Sequence, residues 1–375
     1  MAEPTVVPST QHRYYERGER YWNALDPVVR YQNRRATDDP DVGWIGHVKA
    51  LRGEPFAKAL LLNCGNGWVE RALIDHGVVR EAVGVDISDE LLAAARATAA
   101  ADDRYRGRLH YERVDTNAGA FPGEGYDLVV NVAAGHHIAY LDRVVRRLCE
   151  LLPDDGWLVT WDYVGPHRNQ YPGAQWEAIW QLNQELPPAL RHGLDYPDLA
   201  TMLATDPTEA VHSELYLDVL RRYFTPVHER MLGGWLAYPL LTFNDGVFDH
   251  LDTVTEWVEL IVRRDEAEVT RDPARTLFAY VVSQPNKAAL ARPQDLARWR
   301  AEEEVRERAA VLADGRYYPP TSVAALVDRL RRAEQALAHA PTRAVARELA
   351  RRVPGARTVW QLARRTPGGA GTDPT

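Results

Sequence analysis

Cysteine is nearly missing from this chain. Cys64 and Cys149 are the two among 375 residues, too few for a disulfide framework or a cysteine zinc site. Lysine occurs only at Lys49, Lys58 and Lys287, with arginine in its place, which reads as genomic base composition. No run approaches the roughly 18 apolar residues of a membrane span. The opening MAEPTVVPSTQHRYYERGER is polar and unlike a secretory leader. These absences point to a soluble cytoplasmic protein. No grouping of His, Asp and Glu along the chain has metal-ligand spacing, so no metal is expected. Charge of one sign is also short: the net is −8, and residues 341–365 alone carry +6, leaving −14 elsewhere. An acidic body argues against nucleic acid as a partner.

The information is concentrated in residues 59–86, ALLLNCGNGWVERALIDHGVVREAVGVD. The order is apolar strand, tight turn, amphipathic helix, second apolar strand and a terminal acid. Asn63, Gly65 and Gly67 let the backbone approach a ligand, since glycine has no Cβ penalty at positive φ and Asn tolerates it better than most residues. Asp86 follows about 20 residues on, where a carboxylate accepts ribose hydroxyls. Further strands are expected at 109–115, ending in Asp115, at 126–134 and at 156–164. A helix over 139–152 carries Leu141, Val144, Val145, Leu148 and Leu152 at helical spacing. Alternating strand and helix implies an α/β fold, a doubly wound sheet with ligands at the carboxyl ends of its strands.

With these residues in place, the stretch from Trp44 to Gln284 resembles the class I S-adenosylmethionine-dependent methyltransferases. NCGNG stands at the family's glycine-rich turn, with Asn63 where glycine is usual. Asp86 matches the acid closing the second strand, and Asp115 the acid near the adenine amino group, followed by Thr116 instead of a hydrophobic residue. AAGHHI and PDDG match the loops flanking the fourth and fifth strands. The resemblance implies a seven-stranded Rossmann-like sheet with helical lid insertions and S-adenosylmethionine as cofactor. It implies cofactor contacts at Asn63, Gly65, Gly67, Asp86, Ile87, Asp115, Thr116 and Asn131. A nicotinamide dehydrogenase is disfavoured, because Glu70 in the first helical turn is a poor neighbour for a pyrophosphate.

Methyl transfer is an in-line displacement, and a hydroxyl acceptor needs a base. The candidates are His137 and His136 after the fourth strand and Asp162 at the end of the fifth. Tyr163, His167 and Arg168 are candidate acceptor contacts. Strand alternation turns Asp162 and Tyr163 to opposite faces. The expected reaction is O-methylation of a sugar, glycan or secondary metabolite. The alternative is a cofactor-binding protein with cyclase, decarboxylase or no chemistry.

Five segments are expected: a helical cap over 1–39, either folding across the cofactor mouth as the resemblance implies or packing without ligand contact, the cofactor-binding half at 40–164, a substrate lid at 165–224, the last strands with a helical insertion at 225–285, and a helical extension with a disordered tail at 286–375. In the extension, Val345, Leu349 and Val353 lie opposite a stripe of Arg343, Arg347 and Arg351. This face is expected to dock on the acidic body or a second subunit, making a homodimer, with peripheral contact to an anionic membrane as the alternative.

Overall fold

Residues 20–291 are described by a computed structural model; expectations for residues 1–19 and 292–375, the basic extension included, lie outside the described residues. Seven strands form one sheet in the order β3-β2-β1-β4-β5-β7-β6. They are β1 Phe56–Leu62, β2 Val79–Asp86, β3 Leu109–Arg113, β4 Leu128–Val132, β5 Trp157–Tyr163, β6 Phe224–Gly233 and β7 Phe278–Pro285. The first five pair in parallel, with Leu60 beside Val83 on one side and Val129 on the other. β7 runs antiparallel to β5 and to β6. Helices cover both faces, so β1, β2 and β4 are near-continuous apolar runs rather than alternating ones.

The helix Leu141–Leu151 buries Leu141, Val144, Val145 and Leu148 on the sheet. Tyr216–Tyr223 packs beside it, burying Tyr216, Val219, Leu220 and Tyr223 in the same core. The strands expected at 126–134 and 156–164 are shorter at each end by two residues and by one, and at their carboxyl ends the residues left over enter the site loops. Asp115 does not end β3. It caps a short 3-10 turn, Thr116–Ala118, accepting from Asn117 N.

Of the N-terminal segment, residues 20–39 are described: the helix Asp26–Thr37 packs against β6 and the long helix Thr255–Arg271. Tyr31 donates to the buried Asp265 at 2.7 Å, and Arg35 donates to Met231 O at 2.8 Å. Aromatic residues are needed there because the edge strand β6 would otherwise expose its flank. The preceding turn places Tyr21 and Trp22 against Tyr238, which packs on Tyr163 at the carboxyl end of β5. No described helix is long and apolar enough to cross a membrane.

Candidate active site

Strand order reverses between β1 and β4, so the loops after β1 to β5 converge on one edge of the sheet. In the turn after β1, Asn63, Gly65 and Gly67 all take positive φ, at 45°, 57° and 74°. At Gly67 a Cβ would also lie 2.3 Å from the Tyr111 hydroxyl. Asp86 ties the turn to the next loop: one oxygen accepts from Gly65 N at 2.9 Å, the other from Ser88 N at 2.8 Å. Beside it Ile87 leaves 38% of its surface exposed, an apolar face at the end of β2. Asp115 is exposed across from it.

Asn63 works differently from the glycine it replaces. Its amide donates to Ala134 O at 3.1 Å and its oxygen accepts from Thr116 Oγ1 at 2.6 Å, bridging the loops after β1, β3 and β4. Thr116 is thereby buried and occupied. Beneath the turn, Glu70 is fully buried beside Cys64, with no hydrogen-bond partner for either oxygen among the described residues. Burial pushes its carboxyl up to about 7.

The loop after β4 is organised by Asp162. One carboxylate oxygen accepts from Asn131 Nδ2 at 2.7 Å and from the backbone of Ala134 and Gly135 at 3.2 and 2.5 Å. The other accepts from His136 Nδ1 at 2.6 Å and from Tyr163 N at 2.7 Å. Fully buried, Asp162 meets no acceptor directly, which corrects its expected direct role: it positions His136. Asn131 is corrected likewise, being buried under the loop and donating to Asp162 and to Tyr216 Oη at 2.8 Å. Burial opposes charge on His136, but the Asp162 carboxylate and its hydrogen bond, with Glu209, outweigh it and push the imidazole up to about 9. His137 lies against it, with ring centroids 4.2 Å apart and planes tilted by 39°. Burial and then the neighbouring His136 hold His137 below the ordinary histidine range.

The segment after β5 closes over this loop. Val211 N donates to His136 O at 3.1 Å, and Ser213 Oγ donates to Gly165 O at 2.8 Å. Arg168, expected to meet an anionic acceptor, is buried, and its Nη1 donates to the carbonyls of Pro207 and Glu209 at 2.6 and 3.1 Å. It therefore holds the lid. Both Arg168 and Asn169 sit at positive φ, 54° and 52°, in the tight turn this requires. Glu209, which sequence reasoning missed, sends Oε2 to within 3.8 Å of His136 Nε2 and 3.9 Å of His137 Nε2. Nothing in local spacing could have found it, 72 residues from His137. Tyr163 is buried among Tyr238, Phe278 and His136, and His167 faces Glu214 at 3.4 Å.

Residues 60–160 match the family model described as a methyltransferase domain. An uncharacterized methyltransferase of Bacillus subtilis, YcgJ, is 22% identical over 147 residues, covering 34% of this chain and 57% of that protein. The chain thus matches little more than half the length of this curated relative. Among solved structures, the [4+2]-cyclase SpnF aligns with TM-score 0.41 and 14% identity over 76% of this chain and 98% of its own. An S-adenosylmethionine-dependent methyltransferase from Mesorhizobium loti aligns with TM-score 0.37 and 20% identity over 64% of this chain and 100% of its own. Over residues 60–160 the chain is therefore similar to methyltransferase domains, and the glycine turn after β1 and the strand-end acid Asp86 lie within that match.

Proposed function

We propose that the protein transfers a methyl group from S-adenosylmethionine to a hydroxyl of a small molecule or glycan. The donor set suits the adenosine end of that cofactor. Asp86 stands for the ribose hydroxyls, the exposed Ile87 for one adenine face, and the exposed carboxylate of Asp115 for the adenine amino group. Gly65 and Gly67 keep the turn free of side chains. Asn63, with its amide committed to two loops, shapes the methionine end in place of glycine. When bound, the cofactor supplies an electrophilic methyl on a cationic sulfonium.

The observation that carries the reading is the edge formed by His136, His137 and Glu209 under the lid. Asp162 holds His136 by Nδ1, which leaves Nε2 for the acceptor side. A hydroxyl placed at this edge meets the neutral His137 imidazole and the Glu209 carboxylate, either of which can take its proton, beside the His136 imidazolium, whose charge favours the oxyanion left behind, while Tyr163 and Tyr238 offer apolar walls. A nitrogen acceptor of higher basicity would not need such an edge. Incubating the full chain with methyl-labelled S-adenosylmethionine and a panel of sugars, glycans and hydroxylated metabolites tests this. Label transferred to hydroxyl oxygen is expected, falling at least 100-fold in His136→Ala. Transfer only to protein or RNA, or tight cofactor binding with no turnover on any acceptor, would sink it.

A further inference from the structure

We propose that His136, His137 and Glu209 form a binding site for a first-row divalent cation at the carboxyl edge of β4. Their ligand atoms all lie within 4.8 Å of one another. The argument rests on where the protons must be. Asp162 accepts a hydrogen bond from His136 Nδ1–H at 2.6 Å, so that nitrogen is the donor and Nε2 carries the lone pair when the ring is neutral. On His137 the logic runs through Thr208. The Thr208 hydroxyl donates its only proton to Asp206 Oδ1 at 2.7 Å. It can then only accept from His137 Nδ1, at 3.2 Å. His137 Nε2 is therefore also a lone pair. With both rings neutral, the two lone pairs face Glu209 Oε2, at 3.8 and 3.9 Å, and the proton that Asp162 and Glu209 favour on His136 Nε2 is released as the cation binds.

Glu209 is itself held for this purpose. Its backbone carbonyl accepts from Arg168 Nη1, and its other carboxylate oxygen accepts from Asn169 Nδ2 at 3.3 Å. Each of the three groups thus has an outer partner that fixes its orientation, the arrangement that metal-ligating histidines and carboxylates require. Ligand atoms of a tetrahedral site with bonds of about 2.0–2.1 Å stand roughly 3.3 Å apart, so Glu209 closes on each imidazole by about half an ångström, and the set as a whole, now within 4.8 Å, tightens by up to about 1.5 Å. Two imidazoles and one carboxylate favour zinc, manganese, iron or cobalt over magnesium or calcium. Three protein ligands leave a position open, where the oxygen of an acceptor hydroxyl binds and loses its proton more readily. This use of the site rests on the methyl-transfer reading; the binding itself does not.

The test uses the full chain, stripped with a chelator and then titrated separately with zinc, manganese and cobalt. Calorimetry reads the stoichiometry, and cobalt's visible absorption reads the geometry. One cation per chain is expected, with intense visible bands for a four- or five-coordinate cobalt site. Glu209→Gln and Thr208→Val should each weaken binding at least tenfold; neither side chain is in the hydrophobic core, and metal-free melting temperatures report that both fold. Absence of binding near one equivalent overturns the site, and so does equal affinity in wild type, Glu209→Gln and Thr208→Val. Stoichiometric binding without methyl transfer to any hydroxyl keeps the site and removes the functional reading. Full methyl transfer by stripped protein that binds no cation does the reverse.

Discussion

Asp162 receives five hydrogen bonds, from Asn131, Ala134, Gly135, His136 and Tyr163, on a group with about four lone-pair sites. An amide cannot replace it, because one end must then point N–H groups at the donors of Gly135 or His136. Asp162→Asn should lose about 1–3 kcal/mol of stability and also the fixed tautomer of His136. Denaturant unfolding reads the first effect, and the imidazole proton signals in NMR read the second. A variant of native stability with an unchanged His136 spectrum would show the carboxylate to be dispensable. Glu70 makes the opposite case, a buried carboxyl with no partner. Its folded value lies near 7 against an ordinary 4.5, so the folded state keeps a proton that the unfolded chain releases. Stability should therefore fall as pH rises from about 4.5 to 7, then level off, by roughly 3 kcal/mol in all. Glu70→Gln should flatten that slope and be the more stable protein at pH 8. Melting temperatures measured from pH 5 to 8 check this, and an equal slope in both proteins would remove Glu70 as its source.

At the scale of elements, the segment between β5 and β6 behaves as one unit because a few polar side chains stitch it to the sheet edge. Tyr216 reaches Asn131 and Thr160, Ser213 reaches Gly165, and Arg168 clamps the carbonyls of Pro207 and Glu209. Arg168→Leu leaves those two carbonyls without their donor and releases Glu209. The expected result is an acceptor KM raised more than tenfold, with S-adenosylmethionine affinity within twofold of wild type. Steady-state kinetics beside calorimetry separates the two; a loss confined to cofactor affinity would place Arg168 elsewhere in the mechanism. The same segment marks where sequence reading stops. The strands were legible because burial on both faces leaves apolar runs, and Gly65, Gly67 and Asp86 because a tight turn and a strand-end acid are local features. Leu141 to Leu148 announced their helix by spacing alone. Arg168 reads as an anion-binding residue until the fold puts carbonyls around it. Glu209 carries no local signal at all, since its partners come from a loop 72 residues earlier. The aromatic N-terminus stays open to two readings for a related reason: Tyr31 and Trp22 are apolar enough for a lid and equally for an edge-strand cover.

At the scale of the whole molecule, one sheet edge gathers loops from five parallel strands, and β7 and β6 add an antiparallel margin beyond β5. Asp86 joins the β1 turn to the β2 loop, Asn63 joins the loops after β1, β3 and β4, and Asp162 joins β4 to β5. A cofactor lying along that edge would touch several of these loops at once, so its binding free energy should appear as stability of the entire sheet. For a ligand that binds only the folded state, a concentration 100 times its dissociation constant adds about 2.7 kcal/mol. In a domain of this size that is on the order of 5 °C in melting temperature. S-adenosylmethionine should produce this shift and NAD or NADP should not, because the turn Asn63–Gly67 carries no cationic side chain and Glu70 beneath it offers no counter-charge to a pyrophosphate. Asp86→Ala should bind more weakly by about 1.5–3 kcal/mol, the scale of a hydrogen bond to a charged group. Its shift at the same cofactor concentration should be smaller by more than half. Thermal scans of both proteins with each ligand decide the matter: a shift with NAD, or an undiminished shift in Asp86→Ala, would move the cofactor away from the end of β2.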